Sequence, residues 1–188
     1  MLWNAVIRLG FFLLIVNLVY DLKKRIEKEK EFSRSDFLTG IANSRHFSDL
    51  LTMELKRLAR DSRPFTLTYI DVDNFKSVND AFGHKAGDAL LRLIADTLKR
   101  SVREIDAVGR LGGDEFALLL PLTGQEQARF VVERANNALL ESVAKGRYDV
   151  TFSIGSVTFD SSAASADEAI SLADKTMYQA KKNGKNAI

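Results

Sequence analysis

The 188-residue sequence has no cysteine. That excludes a disulfide framework and any thiolate metal centre, so a metal would be held by oxygen or by one of the two histidines. With 25 carboxylates available, a hard-cation site is the natural expectation. An excess of charge of one sign is also lacking. The net charge is +2 and the 27 basic residues are spread along the chain, whereas a dedicated nucleic-acid binder would show a concentrated basic face. There is no internal repeat and no low-complexity stretch. What is present, at 46% hydrophobic, suffices for one domain of ordinary size with a real core, plus an extension.

A long hydrophobic run occurs only at the N-terminus. Residues 9–20 read LGFFLLIVNLVY, with Arg8 before them and Lys23, Lys24 and Arg25 after. Counted from Met1, residues 1–21 are about long enough to cross a bilayer, although the clean run is shorter. The basic cluster would then leave the rest of the chain in the cytoplasm, tethered to the inner face of the membrane. The alternative is a dimerisation helix, because Leu2, Ala5, Leu9, Phe12, Val16, Val19 and Ile26 fall on heptad a and d positions, with Lys23 and Lys30 intruding. Residues 22–35 (LKKRIEKEKEFSRS) read as a charged helical connector in which Glu27 and Glu31 are spaced to pair with lysines. The globular domain is expected over residues 36–188.

Within it the hydrophobic period alternates between helix and strand. Phe47, Leu51, Leu55 and Leu58 mark a helix that starts after Asn43 and is broken by Pro64. FTLTYI (65–70) reads as a strand. Ala86, Leu90, Ile94 and Leu98 mark a second helix, and FALLL (116–120) a buried strand joined through Gly112-Gly113 to a shorter one. Thr123 with Glu126 predicts a capping box for a helix to about Leu140, Val150–Phe159 a strand, and Ser165 with Glu168 the cap of a last helix. The fold class is α/β of the α+β type, with a mixed central sheet, an antiparallel hairpin and flanking helices.

Four segments can carry chemistry. Asp71 and Asp73, at the end of the 65–70 strand, share a face; they either flank a cation or cap the next element. Gly112-Gly113-Asp114-Glu115 is either an ordinary hairpin tip or a tight turn that lets a phosphate approach the backbone. In the second case its carboxylates need a divalent cation to tolerate that phosphate. In Phe75–Asp88, Lys76 suits a phosphate, and Asn79 and Asp88 suit a guanine edge, whose paired N–H donors adenine lacks; Asp88 otherwise serves the start of a helix. Lys181 to Asn186 either complements a helix dipole or reaches a triphosphate.

Five ordered motifs then resemble the GGDEF family of diguanylate cyclases: Asp36-Phe-Leu-Thr-Gly with Asn43 and Arg45; Ile70-Asp-Val-Asp-Asn-Phe-Lys; Asn79-Asp-Ala-Phe-Gly-His-Lys-Ala-Gly-Asp88; Arg110-Leu-Gly-Gly-Asp-Glu-Phe; and Ala173-Asp-Lys-Thr-Met-Tyr-Gln-Ala-Lys181. The resemblance implies a palm-like, nucleotidyl-cyclase-like fold and the condensation of two GTP into cyclic di-GMP plus two pyrophosphates across a homodimer. It implies Mg²⁺ or Mn²⁺ on Asp71, the Val72 carbonyl and Asp114. Asn79 and Asp88 would read guanine. Phe75, Lys76, His84, Gly112, Gly113, Lys181 and Lys185 would complete the GTP seat, with Glu115 or Asp114 as base. Arg103 and Asp106 match the family's RxxD inhibitory site for the product. Ser44 stands where the family often has arginine, and Lys185 replaces a common arginine, keeping charge but losing the planar fork. The competing expectation is a catalytically weak domain that serves as a cyclic di-GMP receptor or scaffold; an ATP-using cyclase fits Asn79 and Asp88 poorly.

Overall fold

The computed structural model describes residues 2–32, 34–160 and 165–187, except for the side chains of 2–7, 9 and 25–32. The chain divides into two compact units, Met1–Arg34 and Ser35–Ile188. The first is one helix, α1 (Leu2–Phe32). Its apolar side chains from Phe11 to Leu22 are exposed. The heptad positions at Leu2, Ala5, Leu9, Ile26 and Lys30 and the pairing of Glu27 and Glu31 lie outside the described side chains. The expected bilayer crossing by residues 1–21 is not supported: among the described residues no helix is long and apolar enough. The clean apolar run of about 12 residues rises about 18 Å, against a hydrocarbon thickness of about 30 Å.

The second unit is a five-stranded sheet in the order β1-β3-β4-β2-β5. Its strands are β1 (Ala42–Asn43), β2 (Phe65–Asp73), β3 (Ala107–Gly112), β4 (Glu115–Leu120) and β5 (Thr151–Phe159). Only β1 and β3 run parallel; every other neighbouring pair is antiparallel. The helices are α2 (Ser44–Asp61), α3 (Phe75–Phe82), α4 (His84–Ser101), α5 (Gln125–Lys145) and α6 (Ala166–Lys182). Strand alternation sends Ile70, Val72, Phe116, Leu118 and Leu120 into a core with α4 and α5. The intervening Phe65, Leu67, Tyr69, Ala117 and Leu119 pack with Phe47 and Leu51 of α2 and with Ala169, Ala173 and Met177 of α6. Helix α6 lies directly on β5 at Gly155, where an added Cβ would overlap the backbone of Ala173 and Met177.

Helix α2 starts after Asn43 as expected, and Asn43 caps it by accepting from the His46 amide at 2.9 Å; the predicted cap of α6 forms, with Ser165 accepting from the Glu168 amide at 3.1 Å. The Thr123–Glu126 capping box does not form. Gly124 caps α5 without a side-chain bond, because the buried Thr123 hydroxyl donates to the Pro121 carbonyl and accepts from Arg103. Helix α5 also continues past Leu140 to Lys145. Strand β2 extends past Ile70 to Asp73, so both aspartates stand inside the sheet. Neither α3 nor the two-residue β1 is expected from the sequence pattern.

Candidate active site

The site is built at one end of the β2–β4 pair. Asp71 lies opposite Glu115 in the antiparallel register, and the β3–β4 hairpin turns just beyond, at Gly113-Asp114. A register shift between Arg110 and Gly112 marks a bulge at the entry to this turn. The Val72 amide donates to the Asp114 carbonyl at 3.2 Å and ties the tip to β2. Arg110 donates to the Gly113 carbonyl from Nη2 at 2.6 Å and Nε at 3.0 Å, and from Nη1 to both Asp36 oxygens at 3.2 and 3.3 Å. Asp36 also accepts from the Thr39 amide at 2.9 Å and hydroxyl at 2.6 Å. Burial alone would raise the Asp36 carboxyl, but Thr39 and Arg110 outweigh it and hold the carboxyl below its ordinary range. The first turn of the domain thus clamps the tip.

The carboxylates facing the opening are in the opposite state. Burial, reinforced by the Asp71 charge, pushes Asp114 above its ordinary range despite the opposing pull of a backbone hydrogen bond, Lys181 and Arg110. Burial also raises Glu115, with Asp71, Asp114 and Asp174 adding repulsion and a hydrogen bond from Tyr69 opposing it. Lys181 Nζ meets Asp71 Oδ1 at 2.6 Å. Burial would lower the lysine, but that hydrogen bond and the Asp71 charge outweigh it and raise it. Lys181 on Asp71 and Asp114, with Arg110 on Asp114, does not offset the burial and mutual repulsion of these carboxylates, so Asp114 and Glu115 stay raised. Among the described residues no group of three or more carboxylates or histidines is arranged to hold a metal by itself. The carboxylate-rich lining suits a hard cation such as Mg²⁺, which takes one or two protein carboxylates and leaves its other positions to phosphate and water.

Asp73 has a different role from Asp71. It is fully buried and accepts from Thr151 Oγ1 at 2.8 Å, Ser153 Oγ at 2.9 Å and the Asn186 amide at 3.2 Å. Three donors, rather than a cation, satisfy it, and they pin the segment after α6. Lys185, at φ +61°, reaches Asn74 Oδ1 at 2.9 Å, so Lys181 and Lys185 both come to the end of β2. Asn79 and Asp88 stand on adjoining helices joined at Gly83. Gly87 is packed so closely against the Asn79 amide and the Phe75 ring that a Cβ there would overlap the amide. Asp88 sits in the second turn of α4, which begins at His84. Lys76 and His84 are exposed in the first turns of α3 and α4.

Residues 33–187 match the family described as "Diguanylate cyclase, GGDEF domain". The chain belongs to this GGDEF family. It is 35% identical over 166 residues to the diguanylate cyclase DgcP of Pseudomonas aeruginosa, covering 87% of this chain and 25% of that protein. It is 36% identical over 172 residues to the response regulator PleD of Caulobacter vibrioides, covering 89% of this chain and 38% of that protein. The chain therefore spans well under half the length of these two relatives. The crystal structure of the diguanylate cyclase SiaD from Pseudomonas aeruginosa with its activator SiaC superposes at a TM-score of 0.75 and 32% identity, over 97% of this chain and 72% of that one.

In this GGDEF domain the second acidic turn lies at the other end of the hairpin. Asp106 accepts from the Arg103 amide at 2.8 Å, from Nε at 3.3 Å and from Nη2 at 3.2 Å; its side chain is fully buried while that of Arg103 is half-exposed. Arg103 Nη2 also donates to Thr123 Oγ1 at 2.8 Å. A cleft of about 600 Å³ between α4 and α5 is lined by Arg100, Arg103 and Arg134. Arg134, one basic residue among 27, carries no signal in the sequence that would place it here. Nor does Tyr69, which reads only as a core position of β2.

Proposed function

We propose that this chain is a diguanylate cyclase that joins two GTP into cyclic di-GMP with release of two pyrophosphates, each subunit of a homodimer presenting one GTP. The observation that carries this reading is the clustering of Asp71, Asp114 and Glu115 beside the Gly112–Gly113 turn, where burial and mutual repulsion raise Asp114 and Glu115 despite Lys181 and Arg110. Asp71, the Val72 carbonyl and Asp114 would hold Mg²⁺ or Mn²⁺. That cation, when bound, would let the triphosphate lie beside the carboxylates and offset charge on the α-phosphate. The exposed Gly113 and its neighbour Gly112 leave the backbone open to phosphate, with Lys76, Lys181 and Lys185 as point charges around it. Phe75 and His84 border the seat.

Asn79 and Asp88 read guanine, and a carboxylate left without the guanine N–H pair would reject adenine. Glu115 or Asp114 takes the proton of the attacking 3′-hydroxyl. Most of the acceleration is positioning, because the 3′-hydroxyl of each GTP must face the α-phosphate of the other. The exposed apolar surface of α1 supports pairing of two copies as the means of bringing the half-sites together. The cleft lined by Arg100, Arg103 and Arg134, with Asp106 holding Arg103 from beneath, supports product binding there as feedback inhibition.

The test is incubation of purified protein with GTP and Mg²⁺ and chromatography of the nucleotides. The expected product is cyclic di-GMP. Its absence at high protein concentration would overturn the proposal, and cyclic di-GMP binding without turnover would assign a receptor instead.

A further inference from the structure

The segment after α6 takes a conformation that its own residues do not favour. Gly184, Lys185 and Asn186 have φ of +127°, +61° and +47°, three successive residues on the left-handed side of the backbone map. Glycine tolerates this and asparagine partly does, but a lysine there is strained. Two hydrogen bonds to the sheet hold the segment just beyond Lys185. The Ala187 carbonyl accepts from the Ile154 amide of β5 at 2.9 Å, and the Asn186 amide donates to Asp73 Oδ2 at 3.2 Å.

Asp73 is equipped for this task. It is fully buried at the end of β2, opposite Thr151 in the register with β5. Thr151 Oγ1 shares Oδ2 with the Asn186 amide, while Ser153 Oγ donates to Oδ1. An ionised carboxylate only accepts, so it takes all three donors at once, and the two hydroxyls fix its plane for the amide. Two residues earlier on the same strand, Asp71 takes Lys181 Nζ at 2.6 Å. The stretch from Lys181 to Asn186 is thus tied at both ends to alternate residues of β2. Lys185 lies between the ties, its Nζ 2.9 Å from Asn74 Oδ1.

We propose that Asp73 is a positioning residue for the substrate: it latches the segment after α6 so that Lys185 stands at the triphosphate. The proposal rests on the cyclase reading above. Lys185 would hold phosphate equally in the ground state and the transition state, so the latch should act on affinity and leave the chemical step alone. Asp73→Ala is expected to raise the KM for GTP about tenfold with kcat within about threefold of wild type. Lys185→Ala should do the same, and the double variant should be no worse than either. Asp73→Asn keeps an acceptor for the amide and can donate to the Ser153 hydroxyl, so it should bring KM back to within about threefold of wild type. Asp73→Ser, whose shorter side chain reaches β5 but not the amide, carries the same cycle if Asp73→Ala does not fold. A wild-type KM in Asp73→Ala, multiplied effects in the double variant, or a collapse of kcat in Asp73→Asn would each overturn the role, the last by making Asp73 a metal ligand. The latch is also read without turnover: the Asn186 amide should exchange slowly in wild type and fast in Asp73→Ala. A wild type with no turnover defeats the cyclase reading, whereas turnover with an unmoved KM, or a freely exchanging Asn186 amide, defeats the latch alone.

Discussion

The β3–β4 hairpin has an acidic turn at each end, and the two are electrostatic opposites. At the base, entering β3, the Asp106 carboxylate is matched by the backbone and guanidinium of Arg103, which is matched in turn by Thr123. At the tip, entering β4, Asp114 and Glu115 are crowded by Asp71, and Lys181 pairs with Asp71 rather than with either of them. Charge balance within the protein marks a group whose task is structural, or one that aims a neighbour; imbalance marks a place reserved for a ligand of the missing sign. On the proposed reading, Asp106 aims Arg103 at an anionic ligand, and the tip is the place reserved for a cation that carries one.

The largest expected effect breaks the tip. Asp114→Asn should lower turnover by roughly 10³-fold while leaving Tm unchanged or higher, because it removes a charge from a repulsive cluster. Steady-state kinetics with thermal denaturation checks this, and a large loss of Tm would show the carboxylate to be structurally matched after all. Breaking the base should spare turnover. Arg103→Ala is expected to weaken inhibition by cyclic di-GMP by about 10–100-fold, the scale of charge-assisted hydrogen bonds, with the uninhibited rate retained. If inhibition were unchanged, the base would be a structural pair only.

Two smaller effects sharpen the contrast. Thr123→Val removes the acceptor that steadies Arg103 and should weaken the same inhibition about threefold, on the scale of one neutral hydrogen bond. Behind the tip, Asp36 is matched by Arg110 and Thr39, so Asp36→Asn should cost about 1–3 kcal/mol at neutral pH. The folded protein holds Asp36 below its ordinary value, so its contribution is complete above the unfolded value near 4 and is lost as pH falls through the folded one. Denaturation of wild type and Asp36→Asn should therefore converge at acid pH; a gap that persists there would assign the effect to packing.

Much of this arrangement can be read in the sequence where the signal is local. The cap at Asn43, the cap at Ser165, the helical faces of α2, α4 and α6 and the glycine turn each lie within a few residues of chain. The exceptions are long-range. Thr123 looks like a helix cap until Arg103, 20 residues away, takes its hydroxyl. Asp73 looks like a twin of Asp71 until Thr151 and Ser153, 78 and 80 residues on, prove to be its partners. Asp36 is quoted in a motif, but its hold on the tip passes through Arg110, 74 residues away. Tyr69 and Arg134 fit ordinary strand and helix patterns, and only the register and the packing of neighbouring elements turn them toward the two ends of the hairpin.

The central claim is that each tip supplies half of an active site. The most direct test is a mixed dimer, made by coexpressing wild-type and Asp114→Asn chains with different affinity tags and purifying through both. If both tips must act together, the mixed dimer should turn over GTP no faster than the Asp114→Asn homodimer. A rate near half that of the wild-type homodimer would mean that one tip suffices, and would contradict the claim.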